Sequence, residues 1–157
     1  MTRKPWLRLL YGLLLTLPMT LHADSGGAGG GSNPMDASTG QVQAEYEAGY
    51  RALKAGDYKK AIKSFEQVLK DNPSHAMAYS NMGFAHRKLG QYDRAITLYH
   101  KALALEPNLA EAHEYIGEAY LGVGKVSEAE KHLVILEKLD AKMAEELRQE
   151  IARHKRS

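Results

Sequence analysis

The chain has 157 residues, 44% of them hydrophobic and 25% charged, which is the composition of an ordinary folded domain with extensions. It has no cysteine, which excludes disulfides, thiolate metal ligands, a thiol nucleophile and a lipid-bearing cysteine. Three of its 21 basic residues lie in the first 23, leaving 18 against 19 acidic ones. The body is therefore nearly neutral, which argues against nucleic acid as its main partner.

Residues 1–23 read as a secretory signal peptide. Arg3, Lys4 and Arg8 make a positive start, Leu9 to Leu21 is an uncharged apolar run, and the small Ala23 precedes Asp24. The run is shorter than the ~20 residues a spanning helix needs. Export to a periplasm with cleavage after Ala23 is expected. Retention as an inner-membrane anchor facing the periplasm is the alternative, and the only membrane contact envisaged. Residues 24–40, with six glycines and only Met35 as a large apolar side chain, read as a flexible linker.

From residue 41 to 141 the chain compares with itself at a period of 34. Gly49, Gly83 and Gly117 share one column, as do Gly56, Gly90 and Gly124, and Ala61, Ala95 and Ala129. Phe65, Tyr99 and Leu133 keep a large apolar residue in another column. Pro73 and Pro107 form a fifth, with Ala141 in the third place. The units are 42–75, 76–109 and 110–141. Each predicts two helices, roughly 42–55 with 58–70, 76–89 with 92–105, and 110–123 with 126–139. The first glycine column and the alanine column let helices approach closely. The second glycine column suits a left-handed helix end. Ser74 and Asn108 are candidate caps, and Asn108 with Glu111 has capping-box spacing. Met143, Leu147 and Ile151 recur every four residues, so 142–157 is read as a capping helix and tail over the open end of the stack.

No catalytic or metal-binding set emerges from seven histidines without His-x-x-x-His spacing, and no cofactor is expected. His86 and His113, on first helices of adjacent units, are expected to pack rather than hold a metal.

The run Ala78-Tyr79-Ser80-Asn81-Met82-Gly83-Phe84-Ala85-His86-Arg87-Lys88-Leu89-Gly90-Gln91-Tyr92-Asp93-Arg94-Ala95, followed by Tyr99, Ala102 and Pro107, resembles a tetratricopeptide repeat. The resemblance covers 42–141. Its outer units depart from the pattern at Glu45, Val68 and His113. It implies an all-α fold in which antiparallel helix pairs stack into a right-handed superhelix. It also implies a non-enzymatic role as an adaptor that binds a protein or peptide.

The resemblance further implies that the first helices line a concave groove. Tyr46 and Tyr50 come from the first repeat, Met77, Asn81, Phe84, Arg87 and Lys88 from the second, and Glu111, Glu114 and Glu118 from the third. On that reading the aromatics face solvent as hot spots, and the acids favour a ligand carrying Lys or Arg. Some family members clamp a chaperone C-terminal carboxylate with two lysines, asparagine and arginine. Here only Asn81 matches; Tyr46, Tyr50, Glu111 and Tyr115 stand at the other positions. A permanent accessory subunit of an envelope assembly machine, held by its convex face, is the alternative role.

Overall fold

A computed structural model describes residues 34–156; the signal-peptide reading and residues 24–33 of the linker lie outside them. Among the described residues seven helices follow one another: α1 (Pro34–Lys54), α2 (Tyr58–Asp71), α3 (Ala76–Lys88), α4 (Tyr92–Leu105), α5 (Ala110–Gly122), α6 (Val126–Leu139) and α7 (Ala141–His154). The fold is an all-α stack of three helical hairpins with a terminal helix. The first helix starts earlier than expected, because residues 34–40 are helical instead of belonging to a linker. Pro34 opens it, and proline is suited to that position since its ring presets φ and a first-turn N–H has no helical partner to lose.

The turns follow from glycine. Gly90 has φ +75°, and Gly56 and Gly124 adopt the same left-handed conformation at equivalent turns. A side chain there would meet the following carbonyl, so the helix ends where glycine stands. Asp57 and Asp140 cap the next helices, accepting from the backbone N–H of Lys60, and of Lys142 and Met143. Two cap expectations fail. His75, not Ser74, caps α3 by accepting from the Ala78 N–H at 3.3 Å. Leu109, not Asn108, precedes α5, with no side-chain cap, so the Asn108–Glu111 capping box does not form.

Packing at the first glycine column explains the stack. A Cβ on Gly49 would stand 2.9 Å from Phe65 Cε1, and one on Gly83 would stand 2.8 Å from Tyr99 Cε1. Each ring packs against bare backbone of the preceding helix. The third unit breaks the pattern. A Cβ on Gly117 would meet Leu147 of α7 at 2.6 Å, so Leu133 is not the third member of the Phe65–Tyr99 column. Leu133 packs only partly buried at the margin of the core, whereas Leu147 is wholly buried. Leucine lacks the reach of a ring, and a residue from the terminal helix fills the gap. Ala61, Ala95 and Ala129 are all fully buried where paired helices cross.

The core forms two buried clusters, one centred on α1–α4 and one on α4–α7, with Tyr115 packed against both. The backbones of the first helices approach one another in succession, α1 with α3 and α3 with α5, whereas those of α2, α4 and α6 do not come as close. First helices that stand closer together than second helices must lie on the inner side of the curve.

Candidate functional site

The inner wall is made by α1, α3 and α5, and its residues come at the 3-and-4 spacing of one helix face. On α1, Tyr46 and Tyr50 are both half-buried. The Tyr46 hydroxyl accepts from Asn81 Nδ2 on α3 at 2.9 Å. Its ring stacks on His75, with centroids 4.8 Å apart and planes at 18°, and tilts against Phe65 at 5.7 Å. Burial pushes the Tyr46 pKa up, and the Asn81 bond opposes that; the charge of Glu111 on α5 adds to the rise. Burial also raises the Tyr50 pKa. Lys54, one turn along, places its Nζ 5.7 Å from the Tyr50 ring.

The middle of the wall is closed and differs from the sequence expectation. Phe84 is only 7% exposed, so it is no solvent-facing hot spot. Its ring lies 5.1 Å from that of Tyr115. Arg87 sits over both rings, its Cζ 5.1 Å from Phe84 and 5.6 Å from Tyr115. Its Nη1 pairs with Glu118 at 2.6 Å, with both side chains largely covered. Burial opposes the Arg87 charge most strongly, but Glu118 together with Tyr99 and Tyr115 outweighs it, and the guanidinium pKa stands above its ordinary value. Burial drives the Tyr99 and Tyr115 hydroxyls far above theirs.

Glu118 is therefore the internal partner of Arg87 and not an acid waiting for a ligand. Glu114 is itself buried. The acidic end inferred from three glutamates reduces to Glu111, which is half-buried. Met77 is half-buried and Lys88 exposed, with the Lys88 ammonium 5.1 Å from the Phe84 ring. Burial, and then the neighbouring Arg87, lower the Lys88 pKa. Asn81 is buried and committed to Tyr46. What remains open to a ligand is a strip of Tyr46, Tyr50, Met77, Lys88 and Glu111.

Sequence reasoning passed over His75, and it placed Tyr115 only at a clamp position, not as a contact between repeats. His75 lies in the turn before α3, where nothing in the periodicity marks it as a stacking partner. Tyr115 sits beside the inner-face residues Glu111, Glu114 and Glu118, and only its contacts reveal it as the wedge between repeats. His86 and His113 do not pair: His86 bonds Gln91 within its own hairpin, and His113 bonds His132 and the Pro107 carbonyl. Among the described residues no three His, Cys, Asp or Glu converge to hold a metal ion.

Comparison with known proteins bears on this wall. The family model described as Tetratricopeptide repeat matches residues 76–109, and that described as TPR repeat matches 49–90. The chain is a tetratricopeptide-repeat protein. No curated protein sequence matches it. Among solved structures, the TPR2B domain of yeast Sti1 in complex with pHsp70 is 24% identical, covers 74% of this chain and 97% of that one, and has a TM-score of 0.69. The first TPR of Spaghetti (RPAP3) bound to the HSP90 peptide SRMEEVD is 23% identical, covers 75% and 98%, and scores 0.68. A point mutant of MamA is 28% identical over 64% of this chain and 73% of that chain, at 0.59. The first two likenesses establish the tetratricopeptide stack and its helix order.

Proposed function

We propose that this tetratricopeptide-repeat protein is an interaction adaptor that holds a protein or peptide segment against the inner face of α1, α3 and α5. The observation that carries this reading is the strip Tyr46, Tyr50, Met77, Lys88 and Glu111. These side chains keep exposed surface, whereas Asn81, Phe84 and Glu114 on the same wall are buried and the Arg87–Glu118 pair is largely covered. Rigid aromatic rings beside charges give contact area at low entropic cost, which is how peptide hot spots are built. That the Sti1 and RPAP3 domains of the same fold are seen with chaperone peptides supports the choice of ligand class.

The strip favours a different peptide from those. SRMEEVD ends in acids, and here Tyr46, Tyr50, Glu111 and Tyr115 stand where a carboxylate clamp needs basic or amide groups. An apolar anchor against the two tyrosines, followed by a basic residue towards Glu111, suits the strip better. We further propose that the protein acts outside the inner membrane, from the basic start, the apolar run and Ala23. An envelope-fraction protein whose N-terminus is Asp24 supports export with cleavage; an intact Met1 in the membrane pellet indicates an anchor.

Photo-crosslinking tests the groove. A benzophenone side chain replaces Tyr50 on the inner wall or Lys63 on the outer face, and adducts are captured from envelope extract. Adducts from position 50 alone support the groove. Adducts from position 63 alone refute it and favour a permanent subunit held by its convex face. Once the adduct is identified, Tyr50→Ala should weaken calorimetric binding by ~2 kcal/mol, about thirtyfold in Kd. Phe84→Ala does not serve this purpose, because the buried ring holds α3 to α5.

A further inference from the structure

Two lysines hold equivalent places in successive repeats. Lys54 ends α1 and Lys88 ends α3. Each lies one helical turn beyond an aromatic side chain of its own helix. The Lys54 ammonium stands 5.7 Å from the Tyr50 ring, and that of Lys88 stands 5.1 Å from the Phe84 ring. Both lysines are exposed. The third repeat has Gly122 at this place, where a Cβ would meet Tyr92 Cε1 at 2.5 Å. The row of cations therefore stops at α3.

The register of α1 against α3 brings these lysines together. Each hairpin reverses the chain twice, so the two helices run the same way. Tyr46 on α1 accepts from Asn81 on α3, one residue past its repeat counterpart. Lys54 and Lys88 follow further along both helices, Lys54 about 12 Å beyond Tyr46 at ~1.5 Å per residue. Packed helices have axes about 8–10 Å apart, a gap that two flexible lysine stems can close on a single carboxylate. The chain itself supplies none. Among the described residues no ion pair takes either ammonium, whereas Arg87 beside them pairs with Glu118 at 2.6 Å. Burial, and then the Arg87 charge, lower the Lys88 pKa, so a carboxylate arriving there would relieve an uncompensated cation. The opposite lip of the wall has the other sign, because Glu111 stands in the first turn of α5. Tyr46 and Tyr50 lie between the two lips.

We propose that Lys54 and Lys88 form an anion subsite of the groove, which takes an acidic side chain of the bound segment on the far side of the tyrosine anchor from Glu111. The subsite rests on the groove reading above and adds the ligand's second charge to it. Tyr50 lies ~6 Å and Tyr46 ~12 Å from Lys54 along α1. An extended ligand covers those distances in about two and about four residues, at ~3.3 Å each. The segment recognised therefore carries an acidic residue, an apolar anchor about two to four residues away, and a basic residue beyond the anchor. Both lysines are exposed at the lip, so the ligand backbone can run past them, and a side-chain carboxylate reaches them without a chain end. They also stand outside the carboxylate-clamp positions compared above, which here are Tyr46, Tyr50, Asn81, Glu111 and Tyr115.

The experiment is selection of random dodecapeptides, displayed on phage, against the immobilised full chain. The parent should enrich Asp or Glu about two to four residues from an aromatic or aliphatic residue. A variant with Lys54→Gln and Lys88→Gln changes two exposed side chains, and should lose the acid and keep the anchor. A synthetic copy of the most enriched peptide then gives affinities. Replacing its acidic residue by the amide should raise Kd about fivefold for the parent at low salt, and about twofold or less for the double variant. Amidating the peptide's C-terminus should change neither. An acid preference that survives in the double variant, or equal Kd ratios in the two proteins, overturns the subsite and leaves the groove in place. Dependence on the C-terminal carboxylate alone overturns it too. Selection of no peptide, or of peptides indifferent to Tyr50→Ala, overturns the groove reading and the subsite with it.

Discussion

Leu147 is the side chain on which the third repeat depends most, and its replacement by alanine is a sharp test of how the stack ends. It is wholly buried and packs its methyls on the bare backbone of Gly117, where the first two repeats use the rings of Phe65 and Tyr99 from their own second helices. Removing a fully buried leucine costs roughly 2–5 kcal/mol, and ~3 kcal/mol is expected here because α7 closes one side only and part of the cavity can relax. For a domain of this size that is a fall in Tm of roughly 10 °C. Gly117→Ala should be destabilising by itself, because its Cβ would stand 2.6 Å and 2.9 Å from the two Leu147 methyls, which outweighs the ~1 kcal/mol that alanine adds to helix propensity. The double variant removes those methyls and gives the new Cβ room. The two costs should therefore fall short of adding by ~2 kcal/mol in urea unfolding. Leu133→Ala, at the half-buried position that the repeat period suggests, should cost ~1 kcal/mol. If Leu133→Ala proves the more damaging substitution, or if the cycle is additive within ~0.5 kcal/mol, the assignment of Leu147 to the glycine contact is wrong.

Glu118→Gln keeps the side-chain size but leaves the covered Arg87 guanidinium without its carboxylate, and should cost ~2 kcal/mol in urea unfolding with little dependence on salt. Adding Arg87→Met should restore much of that loss, since both charges are then gone; no recovery would mean that the Phe84–Arg87–Tyr115 stack matters more than the pair. Tyr46→Phe removes the acceptor of the buried Asn81 amide and should cost ~1 kcal/mol, seen as a fall of a few degrees in Tm. His75 accepts from the Ala78 N–H and burial lowers its pKa, so its capping bond holds above the ordinary imidazole value and is lost as pH falls. His75→Asn should cap α3 without titrating and make stability in urea unfolding less pH-dependent between pH 7.5 and pH 5; an unchanged pH dependence would count against the cap.

Much of the architecture was legible because its causes are local and recur. Glycine at 56, 90 and 124 ends a helix through its own φ, and alanine at 61, 95 and 129 permits a helix crossing through its own small volume. Neither effect needs knowledge of a distant partner, so the 34-residue period carried hairpins and turns, and the four-residue recurrence of Met143, Leu147 and Ile151 carried the terminal helix. The inner-face positions were implied by the resemblance to a tetratricopeptide repeat, and their three-and-four spacing fits one helix face whatever lies opposite.

Tertiary structure alone decided what those faces meet. The sequence by itself determined that Phe84, Arg87 and Glu118 lie on first helices. Only the spacing between α3 and α5 brings the Arg87 and Glu118 charges to 2.6 Å and closes Phe84 against Tyr115, turning expected ligand contacts into a staple between repeats. Only the docking of α7 sends Leu147 to Gly117 in place of Leu133, and only the approach of α5 to α6 brings the Nδ1 atoms of His113 and His132, 19 positions apart in the chain, to 2.9 Å. Periodicity reports which side of a helix a residue occupies. Which partner arrives there depends on the reach of side chains from another helix, and a repeat pattern carries that information only while every repeat supplies a side chain of the same reach.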